Sequence, residues 1–222
     1  MASVRMNLPN FLTILRIFFV PLLVAALVQE DFHSTLGFFD INKEFLALAI
    51  FLAAAGTDLL DGYLARRWGQ VTTVGTLLDP IADKLLISAA LISLVQIRRV
   101  PGWMVILIIS REFAVAGLRS IAAAEGYVIK ASELGKTKMV TQVFAVSLVV
   151  LSIHWPDLAA PATFAMWAVV AFGLISAFDY FGKFWKGIDG QVKRRRRAEL
   201  LNMERRKRKA ELVRTAGQPE KL

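Results

Sequence analysis

Residues 57–66 read TDLLDGYLAR, and this stretch decides the fold because it places two aspartates within an otherwise apolar region. Asp58 and Asp61 are three residues apart, so a helix carries them on one face. Two more aspartates, Asp79 and Asp83, follow at a spacing of four and also share a face. A short connection joins the two segments. We therefore expect antiparallel neighbouring helices whose facing ends bring the four carboxylates together.

The four carboxylates need compensating charge, because acidic residues inside a membrane are costly and usually functional. Lys84 and Arg66 cannot neutralise all four. The chain has no cysteine and two histidines, so we expect a site built from oxygen ligands. Such ligands favour Mg²⁺ or Mn²⁺ over zinc. We predict that the four aspartates hold two divalent cations, an arrangement known to promote phosphate displacement. For any single aspartate, a structural polar network or a proton or cation path is the alternative.

The rest of the sequence is apolar enough to cross a membrane. Hydrophobic residues make up 56% of the 222 residues, and the mean hydropathy is +0.52. A membrane helix needs about 20 mostly apolar residues, and on this basis we predict an all-α integral membrane protein with six transmembrane helices around a polar cavity. The predicted segments are 11–29, 45–66, 76–97, 103–124, 134–154 and 161–183.

We interpret 1–185 as the six-helix catalytic domain and 186–222 as a basic tail. A cleaved signal peptide is the alternative for the first segment, since Arg5 precedes an apolar run. The polar residues Asn10 and Thr13, together with Arg16, interrupt that run. They favour a retained helix with a working polar face.

Basic residues predict the orientation. The net charge of +9 is concentrated in the tail, where 193–197 and 205–209 are basic runs. Six spans place both termini on one side, and the positive-inside rule makes that side the cytoplasm. The aspartates and the polar cavity then face the cytoplasm. Arg98 and Arg99 are the exception, because they fall on the outer side. The default membrane is the bacterial inner membrane.

The tail has no aromatic residues interleaved with its charges, so we do not expect it to bind nucleic acid. Contact with anionic lipid headgroups is the favoured interpretation. A disordered topogenic flank is the alternative.

The string Asp58-x2-Asp61-Gly62-x2-Ala65-Arg66-x8-Gly75-x3-Asp79-x3-Asp83 resembles the signature of the CDP-alcohol phosphatidyltransferase family at every fixed position. The resemblance implies a six-helix membrane fold, two divalent metals held by the aspartates, and a homodimer. It also implies a reaction in which an alcohol displaces CMP from a CDP-activated lipid. In that reaction Asp83 is the proposed general base.

The resemblance also implies residues that bind CDP-diacylglycerol. Gly62, Arg66 and Thr72 match family positions that contact the CDP group, and the planar fork of an arginine suits diphosphate oxygens. The predicted set is completed by Ala65, a small residue that allows close approach, and by the polar residues of the first segment, Asn10 and Thr13.

Two further stretches resemble the family members whose acceptor is glycerol 3-phosphate. They are NLPNFLTILR at 7–16 and REFAVAGLR at 111–119, the second followed by a region that reaches Gln142. Met139 departs from this pattern, since we would expect threonine there.

The dianionic acceptor needs fixed cations besides the metals. The predicted ligands are Arg111, Arg119, Lys136 and Lys138. The two lysines are two residues apart, so a helix does not turn both to one point, and we favour Lys136. Snorkelling toward lipid phosphates is the alternative for these residues. Glu112 is expected to pair with a neighbouring cation.

Three rival functions were weighed. A sister transferase would use inositol phosphate, serine or phosphatidylglycerol, and the 111–142 stretch disfavours it. A divalent-cation transporter would need acids along a whole pore, whereas here they gather at one end. A prenyltransferase also uses aspartate pairs, but the Asp-Gly-x2-Ala-Arg arrangement disfavours it.

Overall fold

The computed structural model describes residues 8–29, 35–36, 39–40, 42–68, 73–127 and 133–216. Long helices account for nearly all of these residues, which confirms the predicted all-α class. The helices are α1 (Leu8–Val28), α2 (Lys43–Trp68), α3 (Thr73–Gln96), α4 (Gly102–Ala124), α5 (Glu133–His154) and α6 (Ala159–Ala216). The first five begin and end within a few residues of the predicted segments. The sixth continues far beyond its predicted end, through the basic tail.

One pair of short strands lies between α1 and α2, in a region that we expected to be a loop. The strands β1 (Thr35–Leu36) and β2 (Phe39–Asp40) are antiparallel, and Thr35 pairs with Asp40. Two residues per strand are too few to show the alternating pattern by which a strand is recognised in a sequence. A single 3₁₀ turn, Pro156–Leu158, precedes α6.

The helices form two compact units. The first consists of 1–114 and 131–176, and the second of 115–130 and 177–222. In the first unit α1 packs against α2 and α3, and α5 also packs against both. Buried apolar side chains at the centre of this unit include Leu23, Phe51, Leu91 and Val146. This core holds α2 and α3 together, as the aspartate pairs require. The predicted division at residue 185 stays a prediction.

The second unit joins the end of α4 to α6 through Tyr127. Its hydroxyl donates a hydrogen bond to the Phe184 carbonyl at 3.4 Å. Its ring lies against the backbone of Gly187, where any Cβ atom would clash with the ring. A glycine is therefore required at this close approach.

A residue with left-handed backbone conformation follows both α3 and α4, two positions after the last helical residue. At the end of α3, Arg99 N–H donates to the Leu94 carbonyl and Arg98 N–H to the Val95 carbonyl, each at 2.9 Å. Arg98 has φ 59° and occupies the position that glycine usually takes in this helix-ending motif. Gly126, with φ 79°, fills the same position after α4.

Two described stretches are long and apolar enough to cross a membrane, namely Phe11–Val28 and Pro156–Gly190. Lys138–His154 is apolar but shorter. The helix α4 differs from these stretches in carrying three charged residues, Arg111, Glu112 and Arg119. The length and composition of these two stretches thus support membrane embedding.

Candidate functional site

The helix backbones place the two aspartate pairs on neighbouring elements. Asp58 and Asp61 lie on α2, and Asp79 and Asp83 lie on α3, which contacts α2 within the first unit. The side chains of the first three aspartates lie outside the described residues, whereas Asp83 is described and partly buried. Among the side chains that are described, no three acids or histidines come together as a metal site. The chemistry of the donor set fits Mg²⁺ or Mn²⁺, because carboxylates supply only oxygens.

An arginine on α1 lies beside the start of the aspartate stretch. Arg16 is fully buried, and its Nε donates a long hydrogen bond of 3.5 Å to Thr57 Oγ1. Thr57 precedes Asp58 in the chain, and its hydroxyl donates to the Ala54 carbonyl at 2.6 Å. From the sequence, Arg16 was expected to lie on a working polar face of the first helix, with no specific role assigned to it. A charge inside an apolar segment was the available signal for a functional residue.

Most of the side chains predicted to bind CDP-diacylglycerol lie outside the described residues. Thr72 lies outside the described residues. Four others lie on described helices, but their side chains fall outside the description: Asn10, Gly62, Ala65 and Arg66. Thr13 is described, and it is buried on α1 one turn before Arg16.

Arg111 connects α4 to α6 within the first unit. Its Nε donates to the Gly173 carbonyl at 3.1 Å, and one terminal nitrogen donates to Ser176 Oγ at 2.6 Å. The side chain is buried, and so is Ser176. These bonds fix the plane of the guanidinium. Gly173 and Ser176 could not be recognised from the sequence, because glycine and serine are ordinary residues in apolar helices.

Glu112 pairs with a cation on either side, as expected. Its Oε1 accepts a hydrogen bond from Arg111 at 3.1 Å and forms an ion pair with Lys138 on α5. Lys138 is buried rather than extended toward the surface. It also lies within electrostatic range of Asp83 on α3. Charged side chains therefore follow one another from Arg111 through Glu112 and Lys138 to Asp83, which is the candidate base.

The preference for Lys136 over Lys138 as an acceptor ligand stays a prediction. The side chain of Lys136 lies outside the described residues, while Lys138 lines a pocket together with Arg111 and Glu112. The remaining wall of this pocket is apolar and includes Leu107 and Val170. The geometry thus supports an inward role for Lys138. Sequence spacing could not choose between the lysines, because the rotation of α5 about its axis depends on tertiary packing.

Gln142 follows Lys138 by one helical turn and is also buried. Its amide nitrogen has no hydrogen-bond partner within the described ranges. A buried amide donor without a partner is unfavourable, so such a group is a candidate for substrate contact. In the sequence, Gln142 stood out only as the end of the stretch that resembles family members whose acceptor is glycerol 3-phosphate.

Arg119 belongs to the second unit. One of its terminal nitrogens donates to the Tyr180 hydroxyl at 2.7 Å, and its guanidinium carbon lies 5.0 Å from the centre of that ring. This geometry is typical of a cation–π contact. The arginine is solvent-exposed while Tyr180 is buried. Its assignment to the acceptor stays a prediction.

The comparison with known proteins covers most of the chain. The family model for CDP-alcohol phosphatidyltransferase matches residues 6–178. A CDP-diacylglycerol–glycerol-3-phosphate 3-phosphatidyltransferase from Bacillus subtilis is 42% identical over 191 residues, which cover 82% of this chain and 97% of that protein.

Two further relatives agree. A probable phosphatidylglycerophosphate synthase from Mycobacterium tuberculosis is 39% identical, with 83% of this chain and 84% of that protein covered. A CDP-diacylglycerol–glycerol-3-phosphate 3-phosphatidyltransferase from Rickettsia bellii is 36% identical, with 79% and 93% covered. The family match and these identities agree with the aspartate signature, and the chain is therefore a membrane-embedded enzyme that belongs to the CDP-alcohol phosphatidyltransferase family.

Proposed function

We propose that this enzyme transfers the phosphatidyl group of CDP-diacylglycerol to glycerol 3-phosphate, giving phosphatidylglycerophosphate and CMP. The observation that carries the proposal is the similarity to the Bacillus subtilis transferase, which extends over nearly its whole length. The Arg111–Glu112–Lys138 cluster supports the choice of acceptor, because a dianion needs fixed cations close to the reacting centre.

The acceptor phosphate would bind to Lys138 and Arg111, with Lys136 and Arg119 as further proposed ligands. Arg111 already uses three of its nitrogens on Gly173, Glu112 and Ser176. Arg111 therefore contributes a positive charge in a fixed position, and few of its N–H groups remain to bind the phosphate. Lys138 carries three donors on a single nitrogen, so it can keep Glu112 and still donate to the phosphate.

Asp58, Asp61, Asp79 and Asp83 would hold two divalent cations, Mg²⁺ or Mn²⁺. When bound, the cations supply charge stabilisation to the transferring phosphate and to the CMP leaving group. Arg66 and Thr72 would hold the diphosphate, with Gly62 and Ala65 allowing close approach and Asn10 and Thr13 contributing polar contacts from α1.

The proton of the acceptor hydroxyl would pass to Asp83. The hydroxyl oxygen then bonds to the lipid-side phosphorus as the bond from that phosphorus to CMP breaks. Lys138 lies within electrostatic range of Asp83, which supports placing the acceptor between α3 and α5. Arg16 would keep the start of the aspartate stretch in position through Thr57.

We place this chemistry in a homodimer with six spans per subunit, in which both termini and the aspartates face the cytoplasm of a bacterial inner membrane. The basic runs of the tail support this orientation. The tail itself would contact anionic lipids.

The test is an acceptor panel. The purified full chain is incubated with CDP-diacylglycerol and Mg²⁺ or Mn²⁺, and CMP release is measured with glycerol 3-phosphate, inositol phosphate, serine or phosphatidylglycerol. We expect release with glycerol 3-phosphate alone, and none after chelation of the metal. No release with any acceptor would overturn the transferase proposal, and release only with another acceptor would overturn the acceptor assignment.

A further inference from the structure

The turn after α3 carries a charge that the transfer reaction does not use. Arg98 and Arg99 follow α3 and are exposed, and they are the pair that the positive-inside rule leaves on the outer side. Arg98 lies 15 residues after Asp83 on the sequence, which is about 22 Å along a helix. The turn follows the end of α3 and is therefore far from Asp83.

A cavity of about 530 Å³ opens beside this turn. We call it the outer cavity, and its charged wall consists of Lys43, Glu44, Arg98 and Arg99. Among the wall residues that the structure describes, three cations thus face one carboxylate. Within the ranges that the structure describes, neither arginine forms an ion pair, and Lys43 makes only a long bond of 3.5 Å to the Gln29 carbonyl. The outer cavity is an anion-attracting site.

A second cavity of about 320 Å³ shares the same two arginines. We call it the tryptophan cavity, because Trp103 and Trp167 line it with their ring centres 5.4 Å apart. Much of its remaining wall is apolar and includes Met104 and Met166. Tryptophan is enriched where membrane proteins meet the headgroup layer.

We propose that the two cavities together bind one anionic phospholipid in the leaflet opposite the active site. The headgroup phosphate lies in the outer cavity on Arg98 and Arg99, and an acyl chain enters the tryptophan cavity. The proposal rests on the membrane orientation given above and is independent of the acceptor. A lipid is favoured over free phosphate because the arginines form a border between a charged cavity and an apolar one.

The backbone of Arg98 supports a role for its side chain. A residue with a Cβ is disfavoured in the left-handed conformation, where glycine would cost less. With an arginine in this position, the turn carries two consecutive arginines that both line the two cavities. Strain of this kind often accompanies binding sites.

The experiment titrates the purified full chain in detergent with phosphatidylglycerol or phosphatidylcholine and counts bound lipid by native mass spectrometry. The variant combines Arg98→Gly, which suits the left-handed backbone, with Arg99→Gln. We expect phosphatidylglycerol to bind this variant about 30-fold more weakly, since each cation near a lipid surface contributes a factor of about five. Binding of phosphatidylcholine should not change.

Two further variants separate the alternatives. Arg196→Gln combined with Arg197→Gln removes two exposed cations from the tail that line neither cavity, and it should weaken phosphatidylglycerol binding less than the Arg98 and Arg99 variant does. Thr163→Phe fills the tryptophan cavity without a change of charge and should weaken phosphatidylglycerol binding several-fold. Equal losses in the two arginine pairs would overturn the proposal. So would displacement of the lipid by inorganic phosphate, or unchanged lipid binding in the Arg98 and Arg99 variant.

Discussion

Glu112 on α4 forms an ion pair with Lys138 on α5, and both side chains are largely buried, with 21% and 10% of their surfaces exposed. The same carboxylate oxygen accepts a hydrogen bond from Arg111. One negative charge therefore fixes two cations on different helices. Because the contact between Glu112 and Lys138 joins two helices, we expect its loss to lower stability and to disturb the arrangement of Arg111 and Lys138.

Glu112→Gln should destabilise the protein by about 3 kcal/mol, because it leaves a buried ammonium without its counter-charge. Thermal unfolding in detergent measures this effect. We also expect the KM for glycerol 3-phosphate to change, and Glu112→Asp should restore part of both losses.

The matched control is Asp179→Asn. Asp179 pairs with Lys183 one turn away on α6, where both side chains are well exposed. Breaking this pair should cost about 0.5 kcal/mol or less. A loss for Glu112→Gln no larger than the control's would contradict the view that Glu112 anchors the cluster.

Ser176→Ala should loosen Arg111. It removes the acceptor of a 2.6 Å hydrogen bond from a buried guanidinium, and an unsatisfied buried donor costs about 1–3 kcal/mol. We expect the KM for glycerol 3-phosphate to rise more than kcat falls. Ser147→Ala is the control, since its hydroxyl bonds only to the Val143 carbonyl on its own helix. Equal effects in the two variants would show that Ser176 has no special role.

Gln142→Leu should change stability and activity in opposite directions. Replacing a buried amide that has no partner in the described part of the chain should raise the unfolding temperature. The same change should raise the KM for glycerol 3-phosphate about tenfold, because the acceptor loses a hydrogen-bond donor. Unfolding in detergent and steady-state CMP release give the two values. A gain in stability with unchanged kinetics would remove Gln142 from the site.

Asp83→Asn should abolish CMP release, because the amide cannot accept the hydroxyl proton. Three carboxylates would remain, so Mn²⁺ should still bind, though more weakly. Electron paramagnetic resonance of added Mn²⁺ measures the binding without reference to turnover. Retained turnover would exclude Asp83 as the base.

Gly187→Ala should destabilise the second unit, since the added methyl group would overlap the Tyr127 ring. Gly190→Ala is the control three residues later, where a Cβ meets no atom within 4 Å. There the substitution should stabilise the helix by about 0.5–1 kcal/mol. Limited proteolysis of α6 should accelerate in the first variant and slow in the second.

The sequence revealed the helices more fully than the contacts between them. Apolar length placed five helices almost correctly, since membrane spans depend on local composition. The expected pairing of Glu112 was correct in kind. Its partner Lys138 was less favoured than Lys136 as an acceptor ligand, because the inward face of α5 depends on packing against α2 and α3. Ser176 was missed because a serine in an apolar segment has no distinctive pattern.

The uninterrupted helix α6 has a geometric consequence for the basic tail. At about 1.5 Å per residue, the run 193–197 begins about 5 Å past Gly190, whereas 205–209 begins about 22 Å past it. Charges in physiological salt are screened over about 8 Å. The continuous helix therefore holds the two runs at different distances from Gly190, and their electrostatic surroundings differ. Only the nearer run begins within one screening length of Gly190, so the two runs differ in how strongly they interact with charges at that level.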